Sequence, residues 1–312
     1  MKKELLTLCL AFTLVLSACG NANASSAASI ESIESTVSSE TSSMESNVSS
    51  ETSSMESAAI VNDAIKIDDI DIKVGPQIDD YGDRCVMLQY TNNSSYSILG
   101  VEIKYTQKDS VTDSDREILS DLKDRYEYTD DELKELYMTG RVECLTYPGE
   151  TSTSQYVKLD DYIARTPSSM EQFDLMEPDI ASIVFITPNN VLRMEYYDYK
   201  NGSYSLSNNT QENLYQIPKN GMEKYFIDID TPFLQSTSDR EDRYHGTAYH
   251  ISKDDYLTYK EKWINAGYTN IDRESNDLYR ATNDKNIEVT LEWYSQNNVV
   301  SIEIEDNSKE GD

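Results

Sequence analysis

The stretch IEVTLEWY, residues 287–294, decides the fold of the C-terminal part of the chain. Large apolar side chains stand at every second position, and Glu288, Thr290 and Glu292 stand between them. A period of two places the apolar side chains on one face of a strand and the polar ones on the other. The stretch therefore predicts an antiparallel strand that needs partner strands and a cover for its apolar face.

The flanking sequence supplies both. Residues 278–282 form a second predicted strand, joined through the turn 283–286, and Val300, Ile302 and Ile304 mark a third. Upstream, residues 252–267 predict one amphipathic helix. Its features are a capping box at Ser252 and Asp255, apolar positions at Tyr256, Tyr259 and Trp263, and a C-cap at Gly267. Residues 222–312 are thus expected to form an α+β domain, in which the helix covers the sheet.

The preceding region, residues 60–217, is punctuated by short runs with strand chemistry. They lie at 66–74, 85–91, 99–105, 142–147, 155–159, 181–186, 192–197 and 203–206. Seven or eight such strands favour a β-sandwich. A helical insertion is predicted after the third strand: one helix near residues 118–126, and a second with a Thr129–Glu132 capping box that ends near Gly140. Residues 217–221 are a predicted hinge to the C-terminal domain.

The turn Thr91-Asn92-Asn93-Ser94-Ser95 and the segment Met176-Glu177-Pro178-Asp179-Ile180 resemble immunoglobulin-like domains of lipoproteins from gut Firmicutes. The C-terminal order of Tyr-rich helix, Gly267-Tyr268 stop and three amphipathic strands is similar to small uncharacterised domains that end many Firmicute lipoproteins. The likeness implies an immunoglobulin-like sandwich with a helical insertion, followed by the α+β domain. It implies no activity.

The pattern of residues 1–18 is typical of an export signal. Lys2 and Lys3 precede an apolar stretch at residues 5–16, which is too short to span a hydrocarbon core that needs about 20 residues. The closing Leu16-Ser17-Ala18-Cys19 resembles the lipobox of bacterial lipoproteins. This resemblance implies a diacylglyceryl anchor on the Cys19 sulfur, cleavage before Cys19, and a location on the outer side of the cell membrane.

Residues 19–59 are expected to be a disordered tether. From residue 20 onward they contain fifteen Ser and six Glu with no Lys, Arg or aromatic residue, and the ten-residue unit VSSETSSMES occurs twice. Such a segment buries too little apolar surface to offset the entropy of ordering it.

The whole chain has 312 residues and a net charge of −30. A surface this acidic repels phosphates, which argues against nucleic acid as a partner. With 2 His, 4 Cys and 11 Gly, the chain shows no nucleophile elbow and no phosphate-binding Gly-rich loop, and no cofactor is expected.

Metal sites are also not expected. Asp113, Asp115, Glu117 and Asp124 have the spacing of a calcium loop, but Ile118 stands where the sharp turn requires Gly, so the acidic residues fit a helix N-terminus better. His245 and His250 are five residues apart in an extended stretch, which predicts rings on opposite faces, and both are interpreted as surface or partly buried structural residues.

Two further groups remain open. Cys85 and Cys144 stand in strands of one exported domain and are either a disulfide or two buried thiols. Tyr196, Tyr197, Tyr199 and Tyr204 form either a ligand platform for stacking or a hairpin whose rings divide between core and surface.

Three function classes survive these observations. The leading one is a non-catalytic lipoprotein that binds an envelope protein, peptide or glycan. A structural envelope component without a small ligand comes second. A carboxylate-dependent hydrolase comes last, because the chain is short of His, Cys and Gly motifs; it stays among the alternatives because paired carboxylates occur in any acidic chain and only geometry identifies a catalytic pair.

Overall fold

A computed structural model describes residues 64–78, 82–162, 165–207 and 210–309. These residues are mostly β, in two antiparallel sheets. The strands of the first sheet are β1 (Ile70–Ile78), β2 (Arg84–Asn92), β3 (Ser97–Gln107), β4 (Met138–Thr146), β5 (Gln155–Leu159), β6 (Met176–Ile186), β7 (Leu192–Asp198) and β8 (Ser203–Leu206). Those of the second are β9 (Leu234–Asp239), β10 (Arg243–Tyr249), β11 (Asn270–Glu274), β12 (Leu278–Thr282), β13 (Ile287–Tyr294) and β14 (Val299–Asp306). The helices are α1 (Ser120–Tyr126), α2 (Asp130–Glu135), α3 (Met170–Phe173) and α4 (Lys253–Asn265), with 3₁₀ turns at Ile67–Asp69, Asp115–Leu119 and Asn307–Lys309.

The first sheet is curled. Its strand order is β1-β2-β5-β4-β3-β6-β7-β8, yet the segment before β1 reaches the opposite end of this order. The Ile65 amide donates to Glu195 Oε2 of β7 at 2.7 Å, and the Ile67 amide donates to Tyr204 Oη of β8 at 3.2 Å. The inward side chains of β1 to β6 consequently share one apolar core.

Two of the sequence predictions for this sheet are wrong in detail. Residues 67–69 form a 3₁₀ turn rather than the start of β1. The capping box of Thr129 and Glu132 is confirmed, but α2 ends at Glu135 and Gly140 lies inside β4. A Cβ at Gly140 would stand 2.6 Å from Leu88 Cδ1, so glycine allows the Leu88 side chain of β2 to pack closely against β4 and does not end a helix.

The second sheet has the order β11-β12-β13-β14-β10-β9, with α4 across one face. The buried helix residues Tyr256, Tyr259 and Trp263 share a core with the inward side chains of β13 and β14. This confirms the packing predicted from the two periods. The Ser252–Asp255 capping box is present, and Gly267 takes the left-handed conformation after the helix, at φ +97°. Strands β9 and β11 were not predicted, and β10 was expected only as an extended stretch.

The outer face of the first sheet packs against the second sheet. Leu99, Leu145, Val184, Ile186, Leu192 and Met194 are buried there against Leu214, Phe233, Tyr249 and Val299. Polar contacts extend this interface, since Gln155 Nε2 donates to the carbonyl of Gln296 at 2.7 Å and to Asn297 Oδ1 at 2.8 Å. The predicted hinge at residues 217–221 is hydrogen-bonded to Asp239 at the end of β9.

Candidate functional site

A tyrosine-rich surface lies at the end of the first sheet that is formed by the C-terminus of β5 and the N-terminus of β4. We call it the Arg165 surface; it consists of Tyr126, Tyr128, Asp160, Asp161, Tyr162 and Arg165. The guanidinium carbon of Arg165 lies 4.2 Å from the ring centroid of Tyr162, 5.2 Å from that of Tyr128 and 5.8 Å from that of Tyr126. One cation thus holds three aromatic rings together through cation–π contacts.

Backbone geometry turns two aspartates toward the same surface. Asp160 and Asp161 both have positive φ, +47° and +60°. The Tyr162 amide donates to the Leu159 carbonyl at 2.9 Å, so these two aspartates are the central residues of a tight turn, and positive φ at both positions is the pattern of a type I′ turn, in which Asp is favoured. The Leu159 amide donates to the Arg165 carbonyl at 2.9 Å, and the Arg165 amide donates to the Tyr162 carbonyl at 3.1 Å.

Tyrosine hydroxyls hold both carboxylates. Tyr128 Oη donates to Asp160 Oδ2, and Tyr137 Oη donates to Asp161 Oδ2 at 2.9 Å. Burial and the neighbouring aspartate raise the pKa of Tyr137 to about 12, so the hydroxyl stays a donor at neutral pH. Hydrogen bonding to Tyr128 raises the pKa of Arg165, which is cationic in any case. The surface therefore offers the exposed ring of Tyr162, two carboxylates and one cation, whereas the ring of Tyr128 is buried in the core cluster.

The predicted tyrosine platform is only partly assembled. Tyr197 lies 4.6 Å from Tyr204 and 4.9 Å from Tyr199 between ring centroids. Tyr196 packs on the opposite face of β7, in the cluster between the two sheets. Strand alternation divides these rings as the hairpin interpretation requires, and Tyr204, at 41% exposed, is the outermost of them.

Cys85 and Cys144, which both lie within the described residues, are buried thiols rather than a disulfide. The Cys85 thiol donates to the Gln77 carbonyl at 3.5 Å. Burial raises the pKa of the Cys144 thiol, which keeps it protonated and unreactive. The sequence left open a disulfide or two buried thiols, and the structure shows two buried thiols.

The histidines occupy separate places. His245 is half-buried in β10, with Nδ1 2.9 Å from Thr237 Oγ1 and Nε2 3.0 Å from Ser301 Oγ, and burial lowers its pKa. His250 Nε2 lies 3.2 Å from Glu150 Oε2, so His250 links the second sheet to the turn before β5. His245 is therefore a partly buried structural residue, one of the two alternatives that the sequence left open, and the two histidines contact different partners.

The acidic residues that have the spacing of a calcium loop contact their near neighbours in the sequence. Asp115 Oδ2 accepts hydrogen bonds from the backbone amide and the hydroxyl of Thr112, at 2.8 Å and 2.7 Å. Asp113 pairs with Arg116 at 2.8 Å. Within the part of the chain that the structure describes, no group of three or more His, Cys, Asp or Glu side chains could hold a metal ion.

Two glutamates on the outer face of the first sheet, Glu102 and Glu143, share one arginine. Arg141 Nε lies 2.7 Å from Glu143 Oε1 and 3.4 Å from Glu102 Oε2. Burial raises the pKa of both glutamates, and the shared guanidinium opposes this effect. Because both carboxylates are directed to the same cation, the geometry is that of an ion-pair network rather than of two carboxylates facing a substrate.

The predicted lipidation residue Cys19, the signal and the tether lie outside the described residues. Across the described ranges, none of the helices has the length and apolar character needed to cross a membrane.

Sequence reasoning missed the Arg165 surface because its members come from two segments about thirty residues apart. The available signal was local: Tyr126, Tyr128, Tyr162 and Arg165 lie beside acidic pairs in segments that border predicted elements.

Comparison with family models, with curated proteins and with solved structures gives no match for this chain.

Proposed function

We propose that the protein is a lipid-anchored lipoprotein on the outer side of a bacterial cell membrane, where it acts as a non-catalytic binding protein of the cell envelope. The basic residues, short apolar stretch and Leu16-Ser17-Ala18-Cys19 support the anchor at Cys19. Two acyl chains on one residue suffice for stable anchoring, where a single chain is marginal. The Ser- and Glu-rich residues 19–59 are then a tether that holds the folded body off the membrane.

The body is proposed to consist of an immunoglobulin-like domain with a helical insertion, residues 60–217, and an α+β domain, residues 222–312. The curled antiparallel sheet and the position of α1 and α2 between β3 and β4 support the first assignment. The single helix packed on β13 and β14 supports the second.

The Arg165 surface is the observation that carries the binding function. It gathers three tyrosine rings, a cation and two carboxylates at the end of the sheet away from the interface with the second sheet. Tyrosine and arginine are the residues that contribute most often to recognition hot spots, because they combine a large contact area with hydrogen bonding. Holding the rings in place before binding lowers the entropy lost on association.

Site-specific photo-crosslinking in intact cells tests this proposal. A photoreactive phenylalanine analogue replaces Tyr162, which is 55% exposed, or as a matched control Ile271, which is 48% exposed on the edge strand β11. We expect a discrete adduct from position 162 and none from position 271. Equal labelling, or no adduct at either position, would contradict the binding function and favour a structural envelope component.

A further inference from the structure

We propose that the Arg165 surface binds a neutral carbohydrate, with a sugar ring stacked on Tyr162 and sugar hydroxyls donating to Asp161. The inference rests on the proposed binding function and names the ligand class of that site.

Tyr162 provides the stacking face. At 55% exposed it is the most exposed tyrosine of the described residues. The guanidinium carbon of Arg165 lies 4.2 Å from the centroid of the Tyr162 ring and covers one face of it. This contact fixes the orientation of the ring, and the rest of the ring is open to solvent. The C–H face of a pyranose packs against such a ring as an apolar surface, and its hydroxyl edge stays available for hydrogen bonds.

Acceptors for the hydroxyls stand beside the ring. Asp161 is exposed and uses Oδ2 to accept the Tyr137 hydroxyl at 2.9 Å. An ionised carboxylate has about four acceptor positions, so Asp161 retains capacity for one or two sugar hydroxyls. Hydrogen bonds to an ionised acceptor are roughly twice as strong as neutral ones. Its position next to Tyr162 is set by the left-handed backbone at Asp160 and Asp161.

Charge selects a neutral ligand. A cationic peptide would compete with Arg165, which already lies against all three rings. An anionic glycan would meet Asp160 and Asp161 on a chain of net charge −30. A neutral polyol avoids both penalties, and its hydroxyls can donate to carboxylates while its C–H groups contact aromatic rings.

The test is binding of full-length protein, purified in detergent, to an array of neutral, acidic and amino oligosaccharides with polylysine and polyglutamate alongside. We expect binding to neutral oligosaccharides that falls about tenfold or more in Tyr162→Ala and in Asp161→Asn, and is retained in Tyr162→Phe, which keeps the ring. The matched control is Tyr204→Ala, an exposed tyrosine of the other cluster, which should leave binding unchanged. Circular dichroism verifies that each variant is folded.

Three results would overturn the inference: no binding to any neutral oligosaccharide, preferential binding to charged probes, or loss of binding in Tyr204→Ala but not in Tyr162→Ala. Each of them leaves the proposed binding function standing if Tyr162 still crosslinks specifically in cells. Absence of the cellular adduct would remove the binding function itself, so the two failures are distinguishable.

Discussion

Trp263→Ala should destabilise the second sheet and its helix severely. The Trp263 side chain is fully buried, and its ring meets Tyr259 at 6.0 Å and Tyr268 at 4.9 Å in edge-to-face contacts. Truncation removes this packing and leaves a cavity between α4 and the sheet. Large-to-small changes of this kind cost about 3–5 kcal/mol, a sizeable share of the ~5–15 kcal/mol that typical proteins possess.

Urea unfolding followed by far-ultraviolet circular dichroism measures this effect, because the secondary-structure signal does not depend on the tryptophan that is removed. Leu257→Ala on the same helix is the matched control: Leu257 is 39% exposed, and its loss should cost within about 0.5 kcal/mol. If Trp263→Ala unfolded at the same urea concentration as Leu257→Ala, the assignment of Trp263 to the core would be refuted.

Further predictions concern buried titratable groups. Burial raises the pKa of Glu195, so the folded state prefers the neutral acid and the free energy of unfolding falls as pH rises from about 4.3 through the folded pKa. Glu195→Gln, which keeps an acceptor for the Ile65 amide, should therefore be more stable than the wild type at pH 7 and not at pH 4; a less stable variant at pH 7 in urea titrations would contradict this. His245→Ala should cost about 1–2 kcal/mol at pH 8, because two hydrogen-bonding hydroxyls lose their partner. This cost should shrink below about pH 6.5, since burial lowers the pKa of His245 and the folded state resists protonation; a pH-independent difference in melting temperature would argue otherwise. Alkylation under denaturing, non-reducing conditions should label both Cys85 and Cys144, and a disulfide-linked peptide in the mass spectrum would show that they are bonded.

The parts of the fold predicted correctly are those with an uninterrupted period. β12 and β5 match their predicted bounds, and α4 lies within its two predicted caps. In each case the buried face, the turn chemistry and the caps agree, so local sequence determines the element.

In the strands that were not predicted, or were expected only as an extended stretch, the buried face, the turn residues and the caps do not agree in this way. β9, LQSTSD, is mostly polar, β10 contains Gly246, and all five residues of β11 are exposed. These strands form through pairing with neighbours that local sequence does not reveal. Gly140 was wrongly predicted to lie near a helix end for the same reason. The Leu88 side chain that requires a glycine there comes from β2, more than fifty residues earlier in the chain.

The candidate site was less predictable than the fold. The sequence identified tyrosine as the abundant recognition residue, but it pointed to the consecutive tyrosines of β7, which alternation separates. The Arg165 surface depends instead on the left-handed conformation of Asp160 and Asp161 and on contacts between distant segments. Neither has a periodic signature.

Lipid attachment at Cys19 is the claim on which the placement of the whole protein depends, and mass spectrometry of the N-terminal peptide from isolated membranes tests it directly. We predict a peptide that begins at Cys19 and carries a diacylglyceryl group, and its loss, together with release from the membrane fraction, in Cys19→Ser. An unmodified Cys19 within a chain that still begins at Met1, or a Cys19→Ser protein that stays membrane-bound after a high-salt wash, would contradict the claim.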